Sequence, residues 1–162
     1  MDYATLLRLR RSALFLVLAS AATLAVALTF QFWLGYVPCK LCLTERIPYY
    51  AAIPLGLLGL VLPERWSRLA LGLAALGLLY GAGLSVYHAG AEWALWPGPT
   101  DCGGGSGTAP ATVTDFRATL ETTRVADCST AAWRYLGISL AGWNAVVAFI
   151  LASVSGTSAA RR

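Results

Sequence analysis

Four long apolar runs, three of them joined or flanked by only short polar segments, restrict this chain more than any other feature. A helix that crosses a bilayer needs about 20 apolar residues, because roughly 30 Å of hydrocarbon must be spanned at 1.5 Å per residue. Four such helices take up about half of a chain of 162 residues and leave room for a small bundle with short loops. Composition agrees: 57% of the residues are hydrophobic and 12% charged, where a soluble domain carries about 25% charged residues. A soluble globule and a disordered chain are thereby excluded. The net charge of +4 does not indicate a nucleic-acid partner, because the 12 Lys and Arg are dispersed between apolar runs and form no patch. The expected partner of such a surface is a lipid bilayer.

The pattern predicts an all-α membrane protein, a single domain folded as a four-transmembrane-helix bundle. Its spans are expected at about residues 13–34, 43–62, 69–87 and 135–154, with loops at about 35–42 and 88–134. The first run follows Arg8, Arg10 and Arg11 and continues through Leu24, Val26, Leu28 and Phe30. That is longer than the apolar stretch of a signal peptide, so it reads as a retained helix. The second run is short unless the helix begins near Cys42, which puts Glu45 and Arg46 in its first turn at head-group depth. Pro54 is expected to bend it. In the third, Gly77 and Gly81 have the spacing that allows close helix approach.

Four spans put both termini on one side. That side, with the 63–68 turn, carries seven arginines against Asp2 and Glu64, whereas the other side carries five basic residues against six acids. The positive-inside rule makes both termini cytoplasmic and the two loops extracytoplasmic. Aromatic residues, among them Trp33, Tyr49, Tyr50, Tyr87, Trp93 and Trp133, fall at the expected outer ends, as in an interfacial belt.

All four cysteines fall on that outer side, Cys39 and Cys42 in the first loop, Cys102 and Cys128 in the second. Disulfides persist in such a compartment. Four cysteines allow three pairings, of which the simplest places one bridge in each loop. A Cys-x-x-Cys ring is too small to hold a fold together and is typical of redox-active dithiols. Lys40, Arg46 and the start of a helix all favour a thiolate at Cys42. The five residues after Cys102 are Gly-Gly-Gly-Ser-Gly, which favours a mobile Cys102 over a rigid staple. Between the two loop cysteines, residues 113–124 alternate apolar and polar residues, as in a short amphipathic segment on the membrane surface. Metal binding is disfavoured, because zinc sites use two close cysteine pairs, and covalent haem needs a His where Leu43 stands.

Charged groups at membrane depth are expensive and mark sites. An Arg46 guanidinium one turn from a thiolate stabilises that anion and the charge developing on an electron acceptor. Glu45 is either functional or a partner for Arg46 or Lys40. His88, at the outer end of the third span, has a place as a donor to the same acceptor.

Pro38-Cys39-Lys40-Leu41-Cys42, the following Glu45-Arg46, the four spans, and a second loop carrying Pro97-Gly98-Pro99-Thr100-Asp101-Cys102, then Asp127-Cys128 and Trp133, resemble the disulfide bond formation protein B (DsbB) family of bacterial inner membranes. The resemblance implies periplasmic loops and a protein-disulfide:quinone oxidoreductase. Such an enzyme reoxidises a thioredoxin-fold dithiol oxidase of the DsbA type and passes two electrons to ubiquinone or menaquinone. It implies that Cys102 forms the mixed disulfide with that partner and that Cys128, once released, attacks Cys39. Cys42 is then the thiolate facing the quinone, with Arg46 stabilising the pair and His88 and Glu45 beside it. Lys40 stands where the family commonly has an apolar residue, and the glycine run lacks the apolar side chains often found there. Two other readings compete. A vitamin-K-type quinone or quinone-epoxide reductase would be expected to carry or neighbour a thioredoxin-like donor. A non-enzymatic membrane scaffold stapled by disulfides would show slow, uniform reactivity of all four cysteines after mild reduction.

Overall fold

The computed structural model describes residues 3–99, 112–114, 124–125 and 128–161. Four helices make up nearly all of this: α1 (Tyr3–Phe32), α2 (Lys40–Val61), α3 (Glu64–Glu92) and α4 (Leu140–Ala160). Three of them, α1, α3 and α4, are long and apolar enough to cross a membrane. Two short strand pairs complete the fold, β1 (Tyr36–Val37) with β2 (Arg124–Val125), and β3 (Arg134–Tyr135) with β4 (Ile138–Ser139).

Local chemistry sets the helix limits. The Cys39 sulfur caps α2 by accepting from the Cys42 amide at 3.1 Å, so the helix starts at Lys40, before the expected 43. Glu45 and Arg46 consequently sit beyond the first turn. α2 runs unbroken through Pro48 and Pro54. Pro63 opens α3, and Glu64 in the first turn pairs with Arg68 at 3.0 Å. α3 continues to Glu92, past the expected end at 87, which puts His88 and Glu92 on the helix itself. α4 starts later than the expected 135, because residues 134–139 form a β3–β4 hairpin. Its turn holds Leu136 and Gly137 at φ of 52° and 81°, the left-handed conformation a tight hairpin uses. Ser139 then caps α4 by accepting from the Gly142 amide at 3.1 Å.

The helices pack around Leu16, Tyr49, Leu71, Leu78, Ala148 and Leu151. In a bilayer such packing rests on close contact and interhelical hydrogen bonds, because lipid is as apolar as leucine. Ser12 and Ser158 share a hydrogen bond of 2.6 Å between α1 and α4, and Ser67 donates to the Gly59 carbonyl at 3.0 Å. Arg8 donates to the Arg161 carbonyl and Arg68 to those of Ala159 and Arg161, so both chain ends meet the α2–α3 turn at one end of the bundle. At the other end β1 pairs with β2 in parallel, Tyr36 opposite Arg124 and Val37 opposite Val125, which ties the two loops together by backbone. Most of the expected 113–124 surface segment lies outside the described residues, as do Cys102 and its glycine run.

The Gly77/Gly81 spacing acts through one glycine only. A methyl at Gly81 would stand 3.0 Å from Pro48 of α2, whereas one at Gly77 meets no described atom within 4 Å; Gly56 is tighter still, 3.2 Å from the Ala13 carbonyl of α1 and 2.6 Å from Val17. Gly56→Ala and Gly81→Ala are therefore each expected to cost about 1–3 kcal/mol of stability. Gly77→Ala is expected to leave the melting temperature in detergent unchanged or slightly raised, and equal effects at all three positions would refute this packing.

Candidate active site

The helix that begins at Cys39 brings both of its cysteines to the end of the bundle where the loops meet. The Cys39 and Cys42 sulfurs are 2.7 Å apart. Cys39 is 1% exposed and packs against Cys128, also 1% exposed. Cys128 is disulfide-bonded, while Cys39 and Cys42 are free. Its place is set by the segment after α3. The Trp96 indole donates to the Tyr87 carbonyl at 2.9 Å and folds flat over Gly90, leaving no room for a side chain there. The chain then returns so that Gly98 lies against both Ala91 and the Cys128 side chain.

Behind the cysteines lies a polar cluster that the sequence reading located only in part. Glu45 is 5% exposed and His88 3% exposed, both enclosed by the helices. His88 Nδ1 and Glu45 Oε1 are 2.7 Å apart, joining α2 to α3. The Asn144 amide of α4 donates to Glu45 Oε2 at 3.0 Å and to Ser85 at 2.7 Å, while its carbonyl oxygen accepts from the Tyr49 hydroxyl at 2.7 Å. Tyr49 is thus a buried member of this network and does not belong to the exposed aromatic belt that holds Trp33, Tyr50 and Trp93. The other face of the ring, Nε2, is 3.8 Å from the Cys39 sulfur and 3.9 Å from Glu92 Oε1.

Arg46 reaches toward α1, donating to Gln31 Oε1 at 2.6 Å and to the Ala27 carbonyl at 3.4 Å. Cys42, Glu45, Arg46, His88, Glu92 and Asn144 all line one cavity of about 400 Å³ between α1, α2 and α4. Its remaining wall is mostly apolar, including Leu24, Phe30, Leu140 and Val147. An apolar chamber of this size with a few convergent polar groups suits a small, flat, lipid-soluble molecule. Cys39, by contrast, does not line it.

The structure therefore unites six of the seven residues singled out from sequence: Cys39, Cys42, Glu45, Arg46, His88 and Cys128. Cys102 lies outside the described residues. The residues missed are Asn144, Glu92, Gln31 and the buried role of Tyr49. Asn144 had a signal, a lone amide inside the fourth apolar run. Glu92 stands four residues after His88, one helical turn, the spacing that brings two side chains together on one helix face.

The electrostatic preference within the dithiol also differs from the expectation for Cys42. The sulfur at the cap is that of Cys39. Donation from the Cys42 thiol, then from His88 and the Cys42 amide, outweighs the burial that opposes ionisation and pushes the Cys39 thiol down to about 4. The donor atoms of Cys39, Cys42 and His88 lie within 4.8 Å of one another. Two thiolates on one tetrahedral zinc stand about 3.8 Å apart, given Zn–S bonds near 2.3 Å. The closer sulfur pair here is arranged for thiol–disulfide chemistry.

The model of the family "Disulfide bond formation protein DsbB" matches residues 9–157. The chain belongs to the DsbB family. A disulfide bond formation protein B of Pasteurella multocida is 32% identical over 152 residues, covering 85% of this chain and 79% of that one. The Haemophilus ducreyi protein of the same name is 31% identical over 158 residues, covering 93% and 86%. A third, from Histophilus somni, is 30% identical over 171 residues, covering 92% and 89%. No solved structure matches the chain. Membership of the DsbB family, together with three helices able to cross a bilayer, makes this a multi-pass membrane protein and a thiol oxidoreductase of disulfide bond formation.

The shifted Cys39 thiol yields a pH test. A lowered pKa keeps the thiolate from neutral pH downward and loses it only as pH falls through about 4. In the reduced protein, ultraviolet thiolate absorbance is expected to persist to about pH 5 and to vanish in Cys39→Ser; loss of the signal already near the ordinary thiol range of about 8.5 would refute the assignment.

Proposed function

We propose that this chain is a protein-disulfide:quinone oxidoreductase of the bacterial inner membrane. In this reading four helices span the bilayer, both termini are cytoplasmic, and the loops at about 35–42 and 88–134 face the periplasm. It reoxidises a thioredoxin-fold dithiol oxidase of the DsbA type and passes two electrons to ubiquinone or menaquinone.

The observation that carries the reading is the order of three sulfurs. Cys39 lies buried against Cys128, its sulfur is 2.7 Å from that of Cys42, and only Cys42 of the Cys-x-x-Cys pair lines the cavity. Electrons entering at the second loop thus have a path through Cys39 to Cys42 and from there to a lipid-soluble acceptor. Thiol exchange requires a thiolate to reach the sulfur it attacks, and the packing of Cys128 against Cys39 supports that step.

The steps balance. A thiolate of the reduced partner attacks Cys102 of a Cys102–Cys128 bridge, forming a mixed disulfide and releasing Cys128 as thiolate. Cys128 attacks Cys39 in the Cys39–Cys42 disulfide and expels Cys42 as thiolate. The second partner thiol then displaces Cys102, and the partner leaves oxidised. Cys102 attacks Cys128, restoring the loop bridge and leaving Cys39 and Cys42 as the dithiol. A quinone in the cavity accepts the two electrons and two protons of that dithiol and leaves as hydroquinone.

This chain's own residues prepare each step. The Cys39 cap position stabilises negative charge on that sulfur when it is reduced to the thiolate. While Cys39 is bridged to Cys128, the free thiolate is Cys42, at the cavity wall. Arg46, held by Gln31 and the Ala27 carbonyl, keeps a fixed positive charge at that wall. The vitamin-K-type reductase and the stapled scaffold remain the competing readings. The first also passes thiol electrons to a quinone but serves the quinone and draws on its own thioredoxin-like donor, and the second needs no reactive thiolate.

Two variants test the scheme. Cys102→Ser is expected to abolish oxidation of a reduced partner while the Cys39/Cys42 dithiol still reduces added quinone; continued partner oxidation would overturn the entry step. Arg46→Ala is expected to raise the quinone KM about tenfold or more, as loss of a charge-assisted contact of roughly 1.5–3 kcal/mol implies. Unchanged kinetics would remove Arg46 from the acceptor site.

A further inference from the structure

Glu92 is the one group of the buried cluster with an unused oxygen. Its side chain is 6% exposed, and its Oε2 is buried with no hydrogen-bond partner among the described residues. It closes the last turn of α3, one turn beyond His88, and it lines the cavity. A carboxyl left half-satisfied in an apolar wall costs stability, and such groups mark function.

The neighbours define what it does. His88 Nδ1 is taken by Glu45 at 2.7 Å, and Glu45 is itself fixed by Asn144. His88 Nε2 faces the Cys39 sulfur at 3.8 Å and Glu92 Oε1 at 3.9 Å. Nδ1 is thus taken by Glu45, while Nε2 faces Cys39 and Glu92. Glu92 has one oxygen toward Nε2 and the other unpartnered. The remaining polar and charged groups around the pair are Cys42 and Tyr49 from α2, Ser139, whose hydroxyl caps α4 near the Glu92 carboxyl, and Arg134, whose guanidinium donates to the Glu92 backbone carbonyl at 3.3 Å.

We propose that Glu92 relays a proton from His88 to the electron acceptor in the cavity, making it a catalytic residue of the quinone-reducing step. This rests on the function proposed above. Formation of the Cys39–Cys42 disulfide releases two electrons and two protons. The proton that Cys39 releases on becoming a thiolate is taken up at His88 Nε2; Glu92, protonated on its free oxygen, delivers that oxygen's proton to one oxygen of the quinone and is reprotonated by His88 at Oε1. The Cys42 proton goes to the second oxygen within the cavity that Cys42 lines. Both electrons enter the quinone ring, hydroquinone leaves, and His88 and Glu92 end in the protonation states in which they began. A carboxyl suits this task because it accepts on one oxygen and donates from the other.

The test uses the full-length protein in detergent or lipid with a short-chain quinone. In single turnovers of the pre-reduced dithiol, Glu92→Gln is expected to slow quinone reduction about a hundredfold, the usual scale of general acid–base catalysis. Its quinone KM should be unchanged, as should its exchange with a reduced thioredoxin-fold partner, which reports that the variant is folded. Glu92→Asp should recover part of the rate, and so should added formate with Glu92→Gln. A rate within about twofold of the unsubstituted protein, or an effect on KM alone, overturns the relay. A second readout needs no quinone. The infrared difference between dithiol and disulfide forms is expected to contain a carboxyl band that disappears in Glu92→Gln, and identical spectra would refute the proposal. If the unsubstituted protein reduces no quinone, the proposed function fails, while the infrared comparison still decides whether Glu92 responds to the dithiol.

Discussion

The contact between His88 and Glu45 is the interaction on which the rest of the site depends. It joins α2 to α3 at 2.7 Å inside an apolar bundle, with both side chains almost fully buried. Breaking a buried pair by removing one partner typically costs about 3–5 kcal/mol, because the remaining group is left without compensation. The surrounding fold supplies that compensation. Asn144 of α4 occupies the second oxygen of Glu45 and also engages Tyr49 and Ser85, so one amide couples three helices around the carboxylate. The imidazole is thereby held with one face toward Cys39, and the dithiol acquires a fixed polar neighbour.

Packing places this network where chemistry needs it. The Cys39 cap starts α2 at the loop end of the bundle, and the small residues at Gly56 and Gly81 let α2 sit close against α1 and α3. α1 then supplies Gln31 and the Ala27 carbonyl that hold Arg46 across the cavity. The loops are positioned by different means, through the β1–β2 pairing and through Trp96 folded over Gly90. These contacts deliver Cys128 to Cys39 from outside, while the helices deliver Cys42 to the cavity from within. In the proposed function the two halves of the electron path meet at the buried Cys39 sulfur.

Much of this was legible in the residues. Four apolar runs specify four helices, and the Cys-x-x-Cys pair with Glu45, Arg46 and His88 identifies the site, because charges and thiols are rare in such a chain and expensive at membrane depth. Helix ends were less legible. Hydropathy falls where a helix meets the membrane surface, yet α3 continues through His88 to Glu92 because its backbone bonds do not depend on apolarity. That error hid Glu92, which belongs on the same helix one turn from the histidine. At α4 the reverse occurred: the apolar residues at 135–138 enter a hairpin whose turn requires left-handed backbone at Leu136 and Gly137.

The sequence by itself determined the class of protein, the four long helices of the described residues and which residue types make up the candidate site, since these follow from how many apolar residues a helix needs and from the cost of burying charge. Only the tertiary structure decided how the reactive groups are paired. Whether Glu45 meets Arg46 or His88, whether Tyr49 faces lipid or Asn144, and which sulfur receives the helix-cap amide all depend on which helix faces lie together. Those faces are set by contacts between residues 43 to 99 positions apart in the chain, which no local pattern encodes.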